Sequence, residues 1–286
     1  MRQCVFLFVA LLLFSCTPKF DLGDAVFEPQ IVVEGWIESG GVANVCLSQS
    51  MPLVDGADSI SLADVPIRWA KVSVSDGETE EVLVGRMDDD YNPPFVYRGV
   101  RIKGEAGKSY TLTVEYSGRK LTAVTTIPPV VEIESLEVSR CSDSDTLYQI
   151  HLSFSDDPAG RNYYKIFTQA LPDETRFYSS FMGTVSDEVL DDNHAKIKAN
   201  RGTRFGMKKY TPYYKIGDTV LVKLTQLPYE GFRFWSDYEN EVMNGKNPLF
   251  PSTTNLHSNI NGGKGIWCGY GRDVETVIIR DCIPLH

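Results

Sequence analysis

Ser109-Tyr110-Thr111-Leu112-Thr113-Val114-Glu115-Tyr116-Ser117-Gly118-Arg119-Lys120-Leu121-Thr122-Ala123-Val124-Thr125-Thr126-Ile127 is the stretch that decides the fold class. Tyr110, Leu112, Val114 and Tyr116 recur at every second position, and Leu121, Ala123, Thr125 and Ile127 do the same on the return. Successive side chains of a strand point to opposite faces, so each arm presents one face to a core and one to water. Ser117-Gly118 lies between the arms, where a two-residue turn fits an antiparallel hairpin. The reading is an antiparallel sandwich.

Working outward, the same period of two recurs along most of the chain. Residues 30–37 read as a strand, with 43–47 as its neighbour across Ser39-Gly40-Gly41. Lys71 to Ser75 alternates, Asp76-Gly77 marks a tight turn, and Glu81 to Val84 returns. Short strands punctuated every 8–12 residues or so predict an immunoglobulin-like β-sandwich over residues 30–128, without the Cys…Trp…Cys core of antibody domains. Pro128-Pro129 cannot donate to a ladder, which places a boundary there. Residues 130–286 are expected to form a second β-rich domain, with strands at 131–138, 147–154, 162–167, 219–224, 265–269 and 275–280. Residues 183–193 read as an exposed acidic loop. Phe232, Trp235, Tyr238, Glu239 and Val242 fall at helical spacing, so one α-helix is expected near 229–243, stopped by Asn244-Gly245. The fold class is mainly β.

The N-terminus addresses location. Arg2 precedes an uncharged apolar run from Val5 to Phe14, too short to span a bilayer and of signal-peptide length. Leu13-Phe14-Ser15-Cys16 resembles the lipobox of bacterial lipoproteins, although Phe14 is bulkier than the usual residue. That resemblance implies a signal peptide over 1–15, a lipidated Cys16 and a tether over 16–29; the rival reading is an ordinary secretory leader with Cys16 an incidental thiol. Thr17, rather than Asp, after the Cys favours the outer membrane, with the periplasmic or surface side open. A net charge of −10 argues against nucleic acid, whose phosphates need Lys and Arg. Cys46, Cys141, Cys268 and Cys282 would allow two disulfides in any of three pairings, or buried free thiols.

Candidate chemistry is sparse. Asp88-Asp89-Asp90 offers hard oxygen ligands for Ca²⁺, but it lacks the spacing of a calcium loop and reads as a solvated turn. Asp156-Asp157-Pro158 reads as turn chemistry. Asn261-Gly262-Gly263-Lys264-Gly265 runs into a strand instead of a helix, so it reads as a loop hugging a neighbouring backbone instead of a phosphate cradle. His151, His194, His257 and His286 form no metal pair, and no catalytic residue, metal site or cofactor is expected. Tyr163-Tyr164 and Tyr213-Tyr214 should each place one ring outward, where it could contact a sugar or a partner. Trp235 and Trp267 read as core.

Several stretches together resemble the Bacteroidota envelope lipoproteins catalogued as domain of unknown function four-two-four-nine. They are Ile31-Val32-Val33-Glu34-Gly35, Val72-Ser73-Val74-Ser75-Asp76, Gly107-Lys108-Ser109-Tyr110-Thr111-Leu112, Ile127-Pro128, Phe154-Ser155-Asp156-Asp157-Pro158 with Asn162-Tyr163-Tyr164, and Ser258-Asn259-Ile260-Asn261-Gly262-Gly263. Ile266-Trp267-Cys268 departs from the pattern. The resemblance implies an immunoglobulin-like first domain and a lipoprotein often encoded beside TonB-dependent outer-membrane transporters; it carries over no catalytic or ligand-binding residues. The expected function is an accessory or ligand-binding lipoprotein of such a transporter system, without catalysis. The alternatives are a surface adhesin or structural lipoprotein and, further off, a surface hydrolase.

Overall fold

In the computed structural model the deciding hairpin is β7 (Ser109–Tyr116) and β8 (Arg119–Thr126), paired in antiparallel register from Ser109↔Thr126 to Tyr116↔Arg119. Ser117 and Gly118 both have positive φ, 50° and 74°, as a two-residue hairpin turn requires. Tyr110, Leu112, Val114, Leu121 and Ala123 are buried on one face of this pair. The residues described are 28–50, 66–142, 144, 146–190, 193–202, 210–244 and 256–280. Cys16, the leader, the tether up to residue 27, Cys282 and His286 lie outside them.

The remaining strands of the first half are β1 (Ile31–Glu38), β2 (Val42–Gln49), β3 (Lys71–Ser75), β4 (Glu80–Val82), β5 (Val84–Met87) and β6 (Phe95–Lys103). The second half contributes β9 (Ser135–Arg140), β10 (Tyr148–Ser155), β11 (Tyr163–Leu171), β12 (Tyr178–Ser186), β13 (His194–Ala199), β14 (Thr219–Leu227), the helix α1 (Tyr229–Asn244) and β15 (Lys264–Ile278). The protein is mainly β. An eight-stranded sheet in the order β12-β11-β14-β15-β1-β2-β6-β5 forms a spine through both halves. A four-stranded sheet, β4-β3-β7-β8, shares one apolar core with the β1, β2 and β6 part of the spine. A three-stranded sheet, β13-β10-β9, shares a second core with β11 and β14. Residues of α1 pack with Phe167, Leu227, Ile266, Cys268 and Tyr270 of the spine in a third cluster.

One strand joins the halves. Lys264 to Tyr270 of β15 runs parallel to β1, and Gly271 to Ile278 runs antiparallel to β14. The two strands expected at 265–269 and 275–280 are therefore a single one. Ile260 and the fully buried Trp267 belong to the first core, so the first sandwich is completed by residues that lie far beyond Pro128-Pro129 in the chain. Trp267 Nε1 donates to Tyr110 O at 2.9 Å, tying β15 to the hairpin that decided the fold class.

Glycine makes this crossing possible. A Cβ on Gly269 would lie 2.7 Å from Thr126 O, and one on Gly271 would lie 2.2 Å from Pro129 O, so the strap leaving β8 passes directly against β15. Gly269 N donates to Thr125 Oγ1 at 2.8 Å and Ile133 N to Asp273 Oδ2 at 2.8 Å on either side of the strap. The loop at 261–265 behaves as read: a Cβ on Gly263 would meet Ile31 O at 2.8 Å, and one on Gly265 would overlap Val33 O.

Sequence periodicity missed β6, β12 and β13, and it ended at Val84, where β5 begins. In β6 the register against β2 shifts between Val42 and Asn44, which breaks the alternation. The Glu81 carboxylate caps that irregularity by accepting from Val100 N, Arg101 N and Ile102 N at 2.7, 2.9 and 2.8 Å. Tyr178 to Ser186 of β12 replaces part of the expected acidic loop, leaving one 3₁₀ turn at Asp187–Val189.

Candidate functional site

The spine turns one face to the cores and the other to α1. On β1, Val33 and Ile37 enter the first core, so Glu34, Trp36 and Glu38 stand on the opposite, outer face. Their cross-strand neighbours are Cys46 on β2, opposite Glu34, and Ile266, Cys268 and Tyr270 on β15. Five charged side chains are gathered here that local sequence reading did not connect, because they come from β1, β11, β14, β15 and α1.

Glu38 is buried and holds two cations: Lys223 Nζ at 2.5 Å from Oε1 and Arg272 Nη1 at 2.7 Å from Oε2. Burial alone would push the Glu38 carboxyl up; Lys223 and Arg272 outweigh it and hold the carboxyl below the ordinary glutamate range. Lys223 Nζ also sits over the rings of Phe167 and Phe177, at 4.7 and 4.5 Å from their centroids. Lys165, fully buried, donates to Glu239 Oε1 of α1 at 2.5 Å and to Ser180 O at 3.2 Å. Burial lowers the Lys165 pKa, with Glu239 opposing the shift. Trp235 Nε1 donates to Tyr270 Oη at 3.1 Å, and Tyr163 stacks on Phe232 at 4.6 Å. These groups dock α1 on the sheet.

Beyond α1, two loops from different halves meet over β1 and β2. Residues 88–94 come from the first half and 172–178 from the second, and Thr175 Oγ1 donates to Asp90 Oδ1 at 2.6 Å between them. The Arg176 guanidinium lies over the rings of Tyr91 and Tyr178, at 4.7 and 4.8 Å from the centroids, and Trp36 lies 6.0 Å from Tyr91. Glu34, on the same outer face as Trp36, is exposed by area yet has enough protein around it for desolvation to act on its carboxyl, the combination expected of a concave surface. Burial pushes its carboxyl above the ordinary glutamate value, with Arg176 opposing. The Glu34 carboxylate makes no hydrogen bond or ion pair with the described residues. Arg176 Nε is buried without an acceptor. A carboxylate and a guanidinium thus share one aromatic-walled recess and leave each other's hydrogen-bonding capacity unused. Burial drives the Cys46 thiol beside them far up, which keeps it a neutral, inert group, and pushes the Tyr91 hydroxyl up to about 12.

The residues singled out from sequence are placed as follows. Asp88 pairs with Arg86 at 2.9 Å and Asp90 holds Thr175, so this acidic run belongs to the rim of the recess. Asp157 Oδ1 accepts from Ala159 N at 2.9 Å, as turn chemistry requires, and Asp156 accepts from the buried Tyr164 hydroxyl. Of the pair Tyr163-Tyr164, Tyr164 is buried in the second core and Tyr163, on the other face, is half-buried against Phe232 of α1. His151 lies on β10, His194 contacts Ser155, and His257 pairs with Glu230 of α1. Among the described residues no group of three His, Cys, Asp or Glu could hold a metal ion. Cys46 and Cys268 are buried free thiols, so the two-disulfide arrangement is replaced at these positions. A separate cleft of about 740 Å³, lined by Phe181, Met182, Val185, Leu190, Ile197 and Tyr213 among others, shares no residue with the charged face. We place the candidate site in the recess, where the unused donor and acceptor are.

Fold and site together define a mainly β protein with two cores on one shared sheet and an aromatic, doubly charged recess where its halves meet. The chain belongs to the family described as Domain of unknown function (DUF4249), whose model matches residues 17–275. No curated protein matches it. Among the described residues no helix is long and apolar enough to cross a membrane.

Proposed function

We propose that the protein is a lipid-anchored outer-membrane lipoprotein that serves as an accessory, ligand-binding component of a TonB-dependent transporter system and carries out no catalysis. The observation that supports binding is the recess of Glu34, Trp36, Tyr91 and Arg176. Its polar groups are held in place by stacking and by a loop-to-loop hydrogen bond, and such preorganisation lowers the entropy lost when a ligand docks. The lipobox-like Leu13-Phe14-Ser15-Cys16 supports the anchor. Two or more acyl chains would hold the protein to a bilayer, each buried CH₂ adding about 0.8 kcal/mol.

The test is fractionation of native cells. The wild-type protein is expected in the outer-membrane fraction and, after gentle solubilisation, in a complex with a TonB-dependent transporter; Cys16→Ala is expected in the soluble fraction. A Cys16→Ala protein that still partitions into detergent, or a wild-type protein that never co-purifies under conditions that retain known complexes, overturns the reading. Trp69 (90 % exposed) and the exposed Val82, Val84 and Val100 favour a second reading, a surface adhesin or structural lipoprotein. Growth of a deletion strain separates the two, since an uptake accessory alone leaves a nutrient-specific defect.

A further inference from the structure

We propose that the recess recognises a small zwitterion of the amino-acid type, with the ligand's anionic group on Arg176 and its cationic group on Glu34. The inference rests on the reading of the recess as a ligand site. It names what that ligand must carry.

Two opposite charges here do not satisfy each other. Arg176 offers five N–H donors, and its Nε is buried without an acceptor. The Glu34 side chain is solvent-accessible, feels the Arg176 charge and accepts no hydrogen bond from the described residues. Elsewhere on the same sheet face, charges are closely paired: Glu38 with Lys223 and Arg272, Lys165 with Glu239. The recess is the exception. No hydrogen bond or ion pair joins the Glu34 carboxylate to Arg176, so both charges stay available to a molecule with one positive and one negative end.

The guanidinium is also fixed. Tyr91 and Tyr178 flank it, so its plane is set by stacking before a ligand arrives. A fixed planar fork suits a carboxylate, which can take two parallel N–H bonds. Tyr91 is positioned in turn by Trp36. A ligand bearing only a carboxylate would meet Arg176 but bring a like charge to Glu34; one bearing only an amine would do the reverse. A neutral sugar would offer each charge a hydroxyl and neutralise neither. A zwitterion answers both, and the rings of Trp36 and Tyr91 leave an apolar wall for its side chain.

The experiment is calorimetric titration of the purified, correctly folded chain with the free L-amino acids and a set of dipeptides. Neutral oligosaccharides serve as comparison. At least one zwitterion is expected to bind, and its methyl ester and its N-acetyl derivative are each expected to lose tenfold or more. Glu34→Gln should weaken the free ligand at least tenfold while leaving the N-acetyl derivative nearly unchanged. Arg176→Gln should show the same pattern for the ester. Circular dichroism of each variant confirms folding, and the blocked ligands test the claim on the wild-type protein alone. Blocked derivatives that bind as well as the parent, no binding by any zwitterion, or preferential binding of the sugars overturns the proposal. A protein that co-purifies with a transporter yet ignores zwitterions refutes this inference and leaves the accessory role standing; the opposite pair of results does the reverse.

Discussion

Glu38 shows what a single side chain contributes to this molecule. One carboxylate satisfies Lys223 and Arg272 from two further strands, so its loss strands a buried ammonium. Glu38→Gln is expected to destabilise the protein by about 3–5 kcal/mol, the usual cost of removing one partner of a buried pair, read from the midpoint of urea unfolding. The sign of the pH effect follows from its depressed carboxyl. The stabilisation is fully present above the unfolded glutamate value of about 4.3 and is lost as pH falls through the lower folded value. Glu81, also held below its ordinary value by three backbone N–H groups that outweigh its burial, acts in the same direction. Melting temperature is therefore expected to drop below about pH 4.3, and Glu38→Gln should flatten that drop. None of this was legible residue by residue. Glu34 and Glu38 look like ordinary outward positions of a strand, and Arg176 looks like loop solvation. Glu38 owes its significance to Lys223 and Arg272, 185 and 234 positions away, and Arg176 and Glu34 owe theirs to neighbours supplied by the other half of the chain, which no local spacing encodes.

Elements whose cause is local were read well. The β7–β8 hairpin and the β3–β4 turn follow from alternation and turn residues, and α1 follows from aromatic spacing. Elements whose cause is a distant partner were not. Nothing in Lys264 to Ile278 announces that its first half pairs with β1 and its second with β14, so residues 270–274, between the two expected strands, carry no strand signal of their own. Two tests belong at this scale. Gly271→Ala should be destabilising by about 1–3 kcal/mol or prevent folding, because its Cβ would enter the Pro129 carbonyl. For the docking of α1, Glu239→Gln is expected to cost about 3–5 kcal/mol by leaving Lys165 buried and uncompensated. Lys165→Met combined with Glu239→Leu should recover most of that loss, a coupling that a double-mutant cycle measures. Additive losses would show that the pair does not hold the helix.

At the scale of the whole molecule, the spine sheet makes the halves interdependent. The first core contains Ile260 and Trp267, so a fragment of residues 28–130 lacks part of its own interior. Such a fragment is expected to be unfolded by circular dichroism and amide dispersion, and a peptide covering residues 256–280 should restore structure when added. Differential calorimetry of the intact chain should show one cooperative transition; two separated transitions would mean that β15 does not couple the halves. The sequence reading of two successive domains was reasonable from Pro128-Pro129, since prolines do break ladders. In the structure the strap carrying these prolines crosses β15, and the eight-stranded sheet runs on continuously.

The shared strand also sets a timetable. β1 is among the earliest segments to leave the ribosome, and its parallel neighbour follows more than two hundred residues later. At translation rates of about 5–20 residues per second that wait lasts roughly 10–50 s. Throughout it, the newborn polypeptide displays an unzipped apolar margin and has no finished interior on either side. Ribosome-bound chains halted before residue 264 should therefore remain protease-sensitive along their whole length, and chains released past residue 278 should become resistant in one step. A holdase that shields nascent strands would matter more to this protein than to one whose domains close in order of birth.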